Sequence, residues 1–219
     1  MNKDAEPYID FKDFLNVIVA LVPFLAVLFV FNILKVLSSQ ISALVLIFFS
    51  IYVIWFFHIV LKSKGYGIGS WFKMPTFGPD LVWSIIMFPV VLGAYLPMTF
   101  LTSYIWSGRS IFGKLLINPG PLLAVISIGL FFPVAEEVVF RGALYSYLEK
   151  VFSVEFSIVM TSAAFAVVHP FEDWMKSFVL GIILNLLYYR RRTLTVPATI
   201  HVMVNLLYLS VMYLHLLRV

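Results

Sequence analysis

Two carboxylates and an arginine, Glu136, Glu137 and Arg141, stand inside an apolar run that reads Phe131-Phe132-Pro133-Val134-Ala135 before them and Val138-Val139-Phe140 between them. Each would cost roughly 2.5 to 3.5 kcal/mol at the centre of a lipid-exposed helix, so they must face protein or water, where charge marks a functional site. Glu137 and Arg141 are four apart, which puts them on one helix face with the acid nearer the amino terminus, the favourable order for an ion pair. Glu136 projects about 100° round the helix from Glu137 and is left without a partner of its own, which suits a general base. An inert buried triad of the same three groups is the plainer alternative. Pro133 removes the helical hydrogen bond to the carbonyl of Gly129 and is expected to loosen the turn beside the acids.

Further along, His169 closes another apolar stretch, and His201 and Asn205 are again four apart. That spacing projects an imidazole and a carboxamide toward one point, the kind of donors an oxyanion needs. His58 and His215 lie near the ends of apolar runs, where a ring reaches the interface, and are read as structural.

The elements that carry these groups follow from composition. At 62% hydrophobic, 17% aromatic and 12% charged, the 219-residue chain has too little polar surface to coat a soluble globule; it is expected to be an all-α, polytopic membrane helix bundle. Apolar runs place spans near Phe14 to Leu34, Ile41 to Leu61, Leu81 to Leu101, Leu122 to Tyr145, Phe156 to His169, Trp174 to Tyr189 and Leu194 to Leu217. That gives about seven spans around a conical or polar cavity. No polar block is large enough for a second folded unit, so residues 1–219 read as one membrane domain with its motif-bearing core at about 121–214. The first apolar run is too long for a signal-peptide core and reads as a retained span. The stretch Thr102 to Pro121 has the aromatic and aliphatic residues of an interfacial helix.

The chain has no Cys, which excludes disulfides, a thiol nucleophile and Cys-ligated zinc. Loops on the amino-terminal side hold Lys3, Lys12, Lys62, Lys64, Lys73, Lys150 and Arg190, Arg191, Arg192, against Lys35, Arg109, Lys114, Lys176 and Arg218 opposite. This bias of nine to five predicts a cytoplasmic amino terminus. The same topology accounts for the net charge of +4, and no basic-aromatic motif suggests nucleic acid.

Glu-Glu-x-x-x-Arg at Glu136 to Arg141, Phe-x-x-x-His at Phe165 to His169 and His-x-x-x-Asn at His201 to Asn205 occur in this order on three separate runs. Together they resemble the CPBP (Abi) family of intramembrane proteases, which includes CAAX proteases. The resemblance implies an endopeptidase of the cell membrane that cuts membrane-associated protein or peptide substrates: CAAX-type tails, leader peptides or membrane anchors. It implies that Glu136 and His169 activate a water, that His201 and Asn205 hold the oxyanion, and that Glu137 and Arg141 support them. The roles of the two glutamates are exchangeable at this level. The same Glu136, His169 and His201 are also a candidate zinc site, since two histidines and a carboxylate with an open position are a known catalytic set. No His-Glu-x-x-His is present, so the reading leans toward metal-free chemistry and no certain cofactor. The family also provides for a catalytically silent scaffold or regulator of another membrane protein. Straight alternating helices would leave His169 at the opposite membrane face from Glu136 and His201.

Overall fold

The computed structural model describes residues 9–16, 18, 19, 22, 39–106 and 120–216. Among them there is no strand; the chain is a bundle of helices with short turns. Residues 11–16 are helical and begin the first predicted span, most of which lies outside the described residues, as does most of the predicted interfacial helix after Thr102. The other six predicted spans each fall on a helix: α1 (Ser39–Ser63), α2 (Phe77–Trp106), α3 (Pro121–Val151), α4 (Val154–Val167), α5 (Trp174–Arg191) and α6 (Thr195–Leu216).

Four of these, α1, α2, α3 and α6, are long and apolar enough to cross a membrane. The protein is a multi-pass integral membrane protein. α1 and α2 are apolar on nearly all faces, as a helix is when lipid replaces water around it. Pro89 and Pro97 sit inside α2, which a membrane helix tolerates when its surroundings satisfy the freed carbonyls. The fifth predicted run behaves differently. α4 has 14 residues, about 21 Å of helix, short of the roughly 30 Å apolar layer. Ser153 caps its start by accepting from Phe156 N–H at 3.3 Å, and it turns back directly onto α3.

That short return resolves the depth of His169. Glu136 lies about 15 residues before the end of α3 at Val151, and His169 about 15 residues after the start of α4 at Val154, so the two come back to the same level.

α4 and α5 pack closely against each other. A Cβ on Gly181 of α5 would stand 3.0 Å from Cα and Cβ of Ser162 on α4, so only glycine lets the backbones meet there. Gly142 of α3 plays the same part toward the Trp71 ring, 2.9 Å from where its Cβ would be. Trp71 joins Phe57 and Leu61 of α1 and Val138, Ala143 and Tyr145 of α3 in one buried core.

Ion pairs gather the basic loops at one end of the bundle. Lys64 pairs with Asp10 and Asp13 at 2.9 and 2.7 Å, Phe14 stacks on Tyr147 near the end of α3, and Arg192 pairs with Glu149. Arg191 pairs with the buried Asp80 at the start of α2. The arginine cluster thus tethers three helices, which goes beyond the topological anchoring its sequence suggests.

Candidate active site

α3 is continuous from Pro121 to Val151, but its hydrogen bonding changes twice, widening to π turns over Val125–Phe131 and Val138–Tyr145. Glu136 and Glu137 end the short α segment Phe132–Glu137 between them. π turns are rare, concentrate at functional sites and rotate the residues that follow relative to those before.

Glu137 and Arg141 are both fully buried, and Arg141 Nη1 donates to Glu137 Oε1 at 2.9 Å, the pair expected from their spacing. Arg141 reaches further than the helix face alone implies. Its Nη2 donates to the carbonyl of Gly181 on α5 at 3.1 Å, and its guanidinium lies 4.7 Å from the centre of the Phe165 ring on α4. One charge thereby ties α3 to α4 and α5. Removing either member would strand the other ion away from water, a cost of about 3 to 5 kcal/mol.

Glu137 Oε1 also meets His201 Nδ1 of α6, at 2.8 Å. A carboxylate oxygen accepts, so Nδ1 carries the proton and Nε2 is turned to the other side. There Nε2 stands 3.7 Å from Glu136 Oε2. On the far side of Glu136, Oε1 lies 4.0 Å from His169 Nε2. His169 is oriented by the same logic, because its Nδ1 lies 2.7 Å from the carbonyl of Phe165, which can only accept. The Trp174 indole donates to the His169 carbonyl at 2.9 Å and fixes the turn leading into α5. Phe165 stands between the two imidazoles, 4.6 Å from the ring of His169 and 5.5 Å from that of His201.

The structure therefore brings Glu136, Glu137, Arg141, His169 and His201 together. Both imidazoles present Nε2 to the same carboxylate, at distances too long for direct hydrogen bonds and suited to a small molecule between them. Asn205 is placed differently from the expectation. It lies one turn beyond His201, but its Nδ2 donates to the carbonyl of Ile128 on α3 at 3.1 Å. His58 accepts from the Ile68 N–H at 3.4 Å, a structural contact. His215 is in α6, and its side chain lies outside the described residues.

A cavity of about 280 Å³ opens on Glu136, walled by Phe132, Val139 and Phe140 of α3, Phe49 of α1 and Phe14 and Ile18 of the amino-terminal helix. Its described lining is apolar except for Glu136. The expected polar cavity is thus divided in two: an apolar chamber on one side of Glu136 and the buried ionic cluster on the other.

Sequence reasoning missed Phe165 and Gly181 as contributors through their backbone carbonyls, since a main-chain acceptor leaves no residue-type signal. The N–H of Phe132 bonds Ser127 O, five residues back, and Pro133 is the second residue of the α segment that follows, so the hydrogen-less nitrogen falls where the register changes from π to α.

Among the described residues no group of three His, Asp or Glu side chains converges as metal ligands would. Ligands held about 2.0–2.1 Å from a tetrahedral zinc stand roughly 3.3 Å apart, whereas Glu136 keeps the two imidazoles at 3.7 and 4.0 Å. Holding zinc would require the two imidazoles to move several tenths of an ångström closer to Glu136.

Three helices thus bring Glu136, His169 and His201, one residue from each of the three motifs, to one place. Residues 118–207 match the Rce1-like family. The family is described as Type II CAAX prenyl endopeptidase Rce1-like, consistent with the resemblance to CPBP and CAAX proteases, and the matched segment contains all of Glu136, Glu137, Arg141, His169, His201 and Asn205. Neither the curated proteins nor the solved structures contain a match to the chain. The Rce1-like segment begins just before α3 and ends within α6; α1 and the amino-terminal helix, which wall the cavity, and α2, which packs against α5 and α6, lie outside it. The match supports a CAAX-type intramembrane protease in general terms, one that acts on a membrane-associated protein or peptide within a lipid bilayer.

Proposed function

We propose that the protein is a glutamate-type intramembrane endopeptidase whose nucleophile is a water held between Glu136 and His169. The observation that carries this is the facing of Glu136 by two oriented imidazoles at the floor of an apolar chamber. A water there donates one hydrogen to a Glu136 oxygen and the other to His169 Nε2, which is bare because Nδ1 is committed to Phe165 O.

As the water oxygen attacks the scissile carbonyl carbon, its proton passes to the Glu136 carboxylate and the carbonyl π electrons move onto oxygen. His201 donates to this oxyanion from Nε2 when its ring carries both protons, its charge then matched by Glu137 at Nδ1. Asn205 supplies a second donor from its remaining Nδ2 hydrogen. Collapse of the intermediate breaks the carbon–nitrogen bond, and the Glu136 proton goes to the leaving amine. The products are a carboxylic acid and a free amine, with Glu136 again ionised. Glu137 and Arg141 do not touch the reacting atoms; they hold His201 and bind α3 to α4 and α5.

The apolar chamber suits a substrate delivered from lipid, such as a prenylated CAAX-type tail. The whole chain is proposed to act as one membrane domain in the cell membrane. The end where Lys64, Lys150 and Arg190 to Arg192 gather is proposed to face the cytoplasm, together with the amino terminus.

The test is incubation of the purified chain in lipid vesicles with a farnesylated peptide ending in a CAAX sequence, alongside Glu136→Gln and with or without chelator. Cleavage that disappears in Glu136→Gln and persists in chelator is expected. Equal cleavage by both proteins would end the proposal, and loss on chelation would replace its metal-free form.

A further inference from the structure

The contact between Asn205 and Ile128 links the two halves of the site through a backbone atom that the hydrolytic scheme does not use. Phe132 N–H bonds Ser127 O, five residues back, which skips Ile128 O; carried one residue further, that register pairs Ile128 O with the nitrogen of Pro133, at the point where the α segment Phe132–Glu137 begins. Proline has no hydrogen there. Asn205 Nδ2 occupies the place of that donor, 3.1 Å from Ile128 O. The approach is tight at this point and nowhere to spare: a Cβ on Gly129 would stand 2.7 Å from Leu206 Cδ2, the neighbour of Asn205 on α6. Position 129 thus lies against the Leu206 side chain, beside the place where the carbonyl and the carboxamide meet. Glu136 follows Pro133 by one turn, and His201 precedes Asn205 by one turn, so the bond lies between the segments that present them.

We propose that Pro133 is a positioning residue of the site: by withholding its hydrogen it creates the acceptor that orients the Asn205 carboxamide. A free carboxamide presents either oxygen or nitrogen to a given point. Ile128 O accepts only from nitrogen, so one Nδ2 hydrogen is spent on it and the amide orientation is set, which aims the second hydrogen and holds α6 against α3. This rests on the hydrolytic reading for its kinetic consequence, but the structural link does not.

The test is a double-mutant cycle of Pro133→Ala and Asn205→Ala in the full chain, reconstituted in lipid vesicles, with kcat and KM measured on the farnesylated peptide and thermal unfolding followed in parallel. Asn205→Ala is expected to lower kcat about a hundredfold, the size of one oxyanion donor. Pro133→Ala, whose new N–H competes for Ile128 O, is expected to lower kcat about tenfold with KM within about twofold, since misplacing a donor costs less than deleting it. In the Asn205→Ala background the proline change is expected to have no further effect on kcat. In unfolding, Asn205→Ala is expected to lower Tm by less than half as much when residue 133 is alanine, because the carbonyl then has an in-helix donor. If the effects on both kcat and Tm simply add, the proposal is overturned. If the wild-type chain cuts no prenylated peptide, the hydrolytic reading fails, and the unfolding cycle decides alone: coupling retains the Pro133–Asn205 link and additivity removes it.

Discussion

Glu137 Oε1 accepts from His201 Nδ1 at 2.8 Å while it also holds Arg141 at 2.9 Å. One carboxylate oxygen therefore aligns the imidazole that faces Glu136 and neutralises the arginine that joins α3 to α5. This division separates the two adjacent glutamates, which differ by one position in sequence and by their whole surroundings in space: Glu136 opens on the apolar chamber, and Glu137 is closed within the bundle.

The two acids should accordingly fail in different ways. Glu136→Gln keeps shape and burial and is expected to abolish peptide cleavage, by at least about a thousandfold, with Tm little changed. Glu137→Ala strands Arg141 and releases His201, and is expected to destabilise the fold by about 3 to 5 kcal/mol as well as to lower activity. Cleavage rates and thermal unfolding of the two purified variants check this; a stable, merely slow Glu137→Ala would contradict the anchoring role.

Arg141→Lys retains the charge and loses the fork. A lysine ammonium is a point donor without the planar face that lies over Phe165 and cannot span Glu137 Oε1 and Gly181 O in the same geometry. The expected cost is about 1 to 3 kcal/mol of stability from the polar groups left without a partner. Denaturant titration in mild detergent measures it, and an unchanged midpoint would show that the link to α5 carries no energy.

Gly181→Ala adds one methyl at a place where Ser162 is already 3.0 Å away. Separating α4 from α5 is expected to cost about 1 to 3 kcal/mol. It should also draw Gly181 O away from Arg141, so that activity falls with stability; Ser162→Gly in the same chain should restore part of both. Alanine tolerated with no loss of either would mean that the helices slide apart freely.

The amino-terminal tether is expected to respond to acid. The backbone N–H of Asp13 and then the Lys64 ammonium hold the Asp10 carboxyl below its ordinary value, at about 2. A group depressed on folding contributes stability above its unfolded value of 3.8 that is lost as pH falls through about 2. Protection of residues 11–16 in hydrogen exchange should therefore be unchanged between pH 7 and pH 5 and fall between roughly pH 4 and pH 2. Asp10→Asn should show weakened protection already at pH 7. Equal protection of the two proteins at pH 7 would count against the tether.

How much was legible in the chain divides along the range of the interactions. The helices and their approximate limits follow from apolar runs, because each run satisfies its backbone internally and exposes side chains that lipid accepts. The Glu137–Arg141 pair follows from a spacing of four, since helical geometry alone brings the two together. Glu136, His169 and His201, which the three motifs single out, lie together, each imidazole within about 4 Å of Glu136. The depth of His169 was not legible, because it depends on α4 being too short to cross and returning beside α3. Hydropathy reads composition and cannot distinguish a half-span from a short span.

By itself, then, the sequence determined the class of molecule, the helical segments and the chemical groups available, all of which depend on neighbours within one or two turns. The tertiary structure alone decided which nitrogen of each histidine faces Glu136, that Glu137 serves His201 as well as Arg141, and that Asn205 bonds Ile128 O. Each of these is a contact between helices, several of them to main-chain carbonyls that every residue carries. Their acceptors have no signature in residue type, and only the packing of α3, α4, α5 and α6 brings the donors within reach.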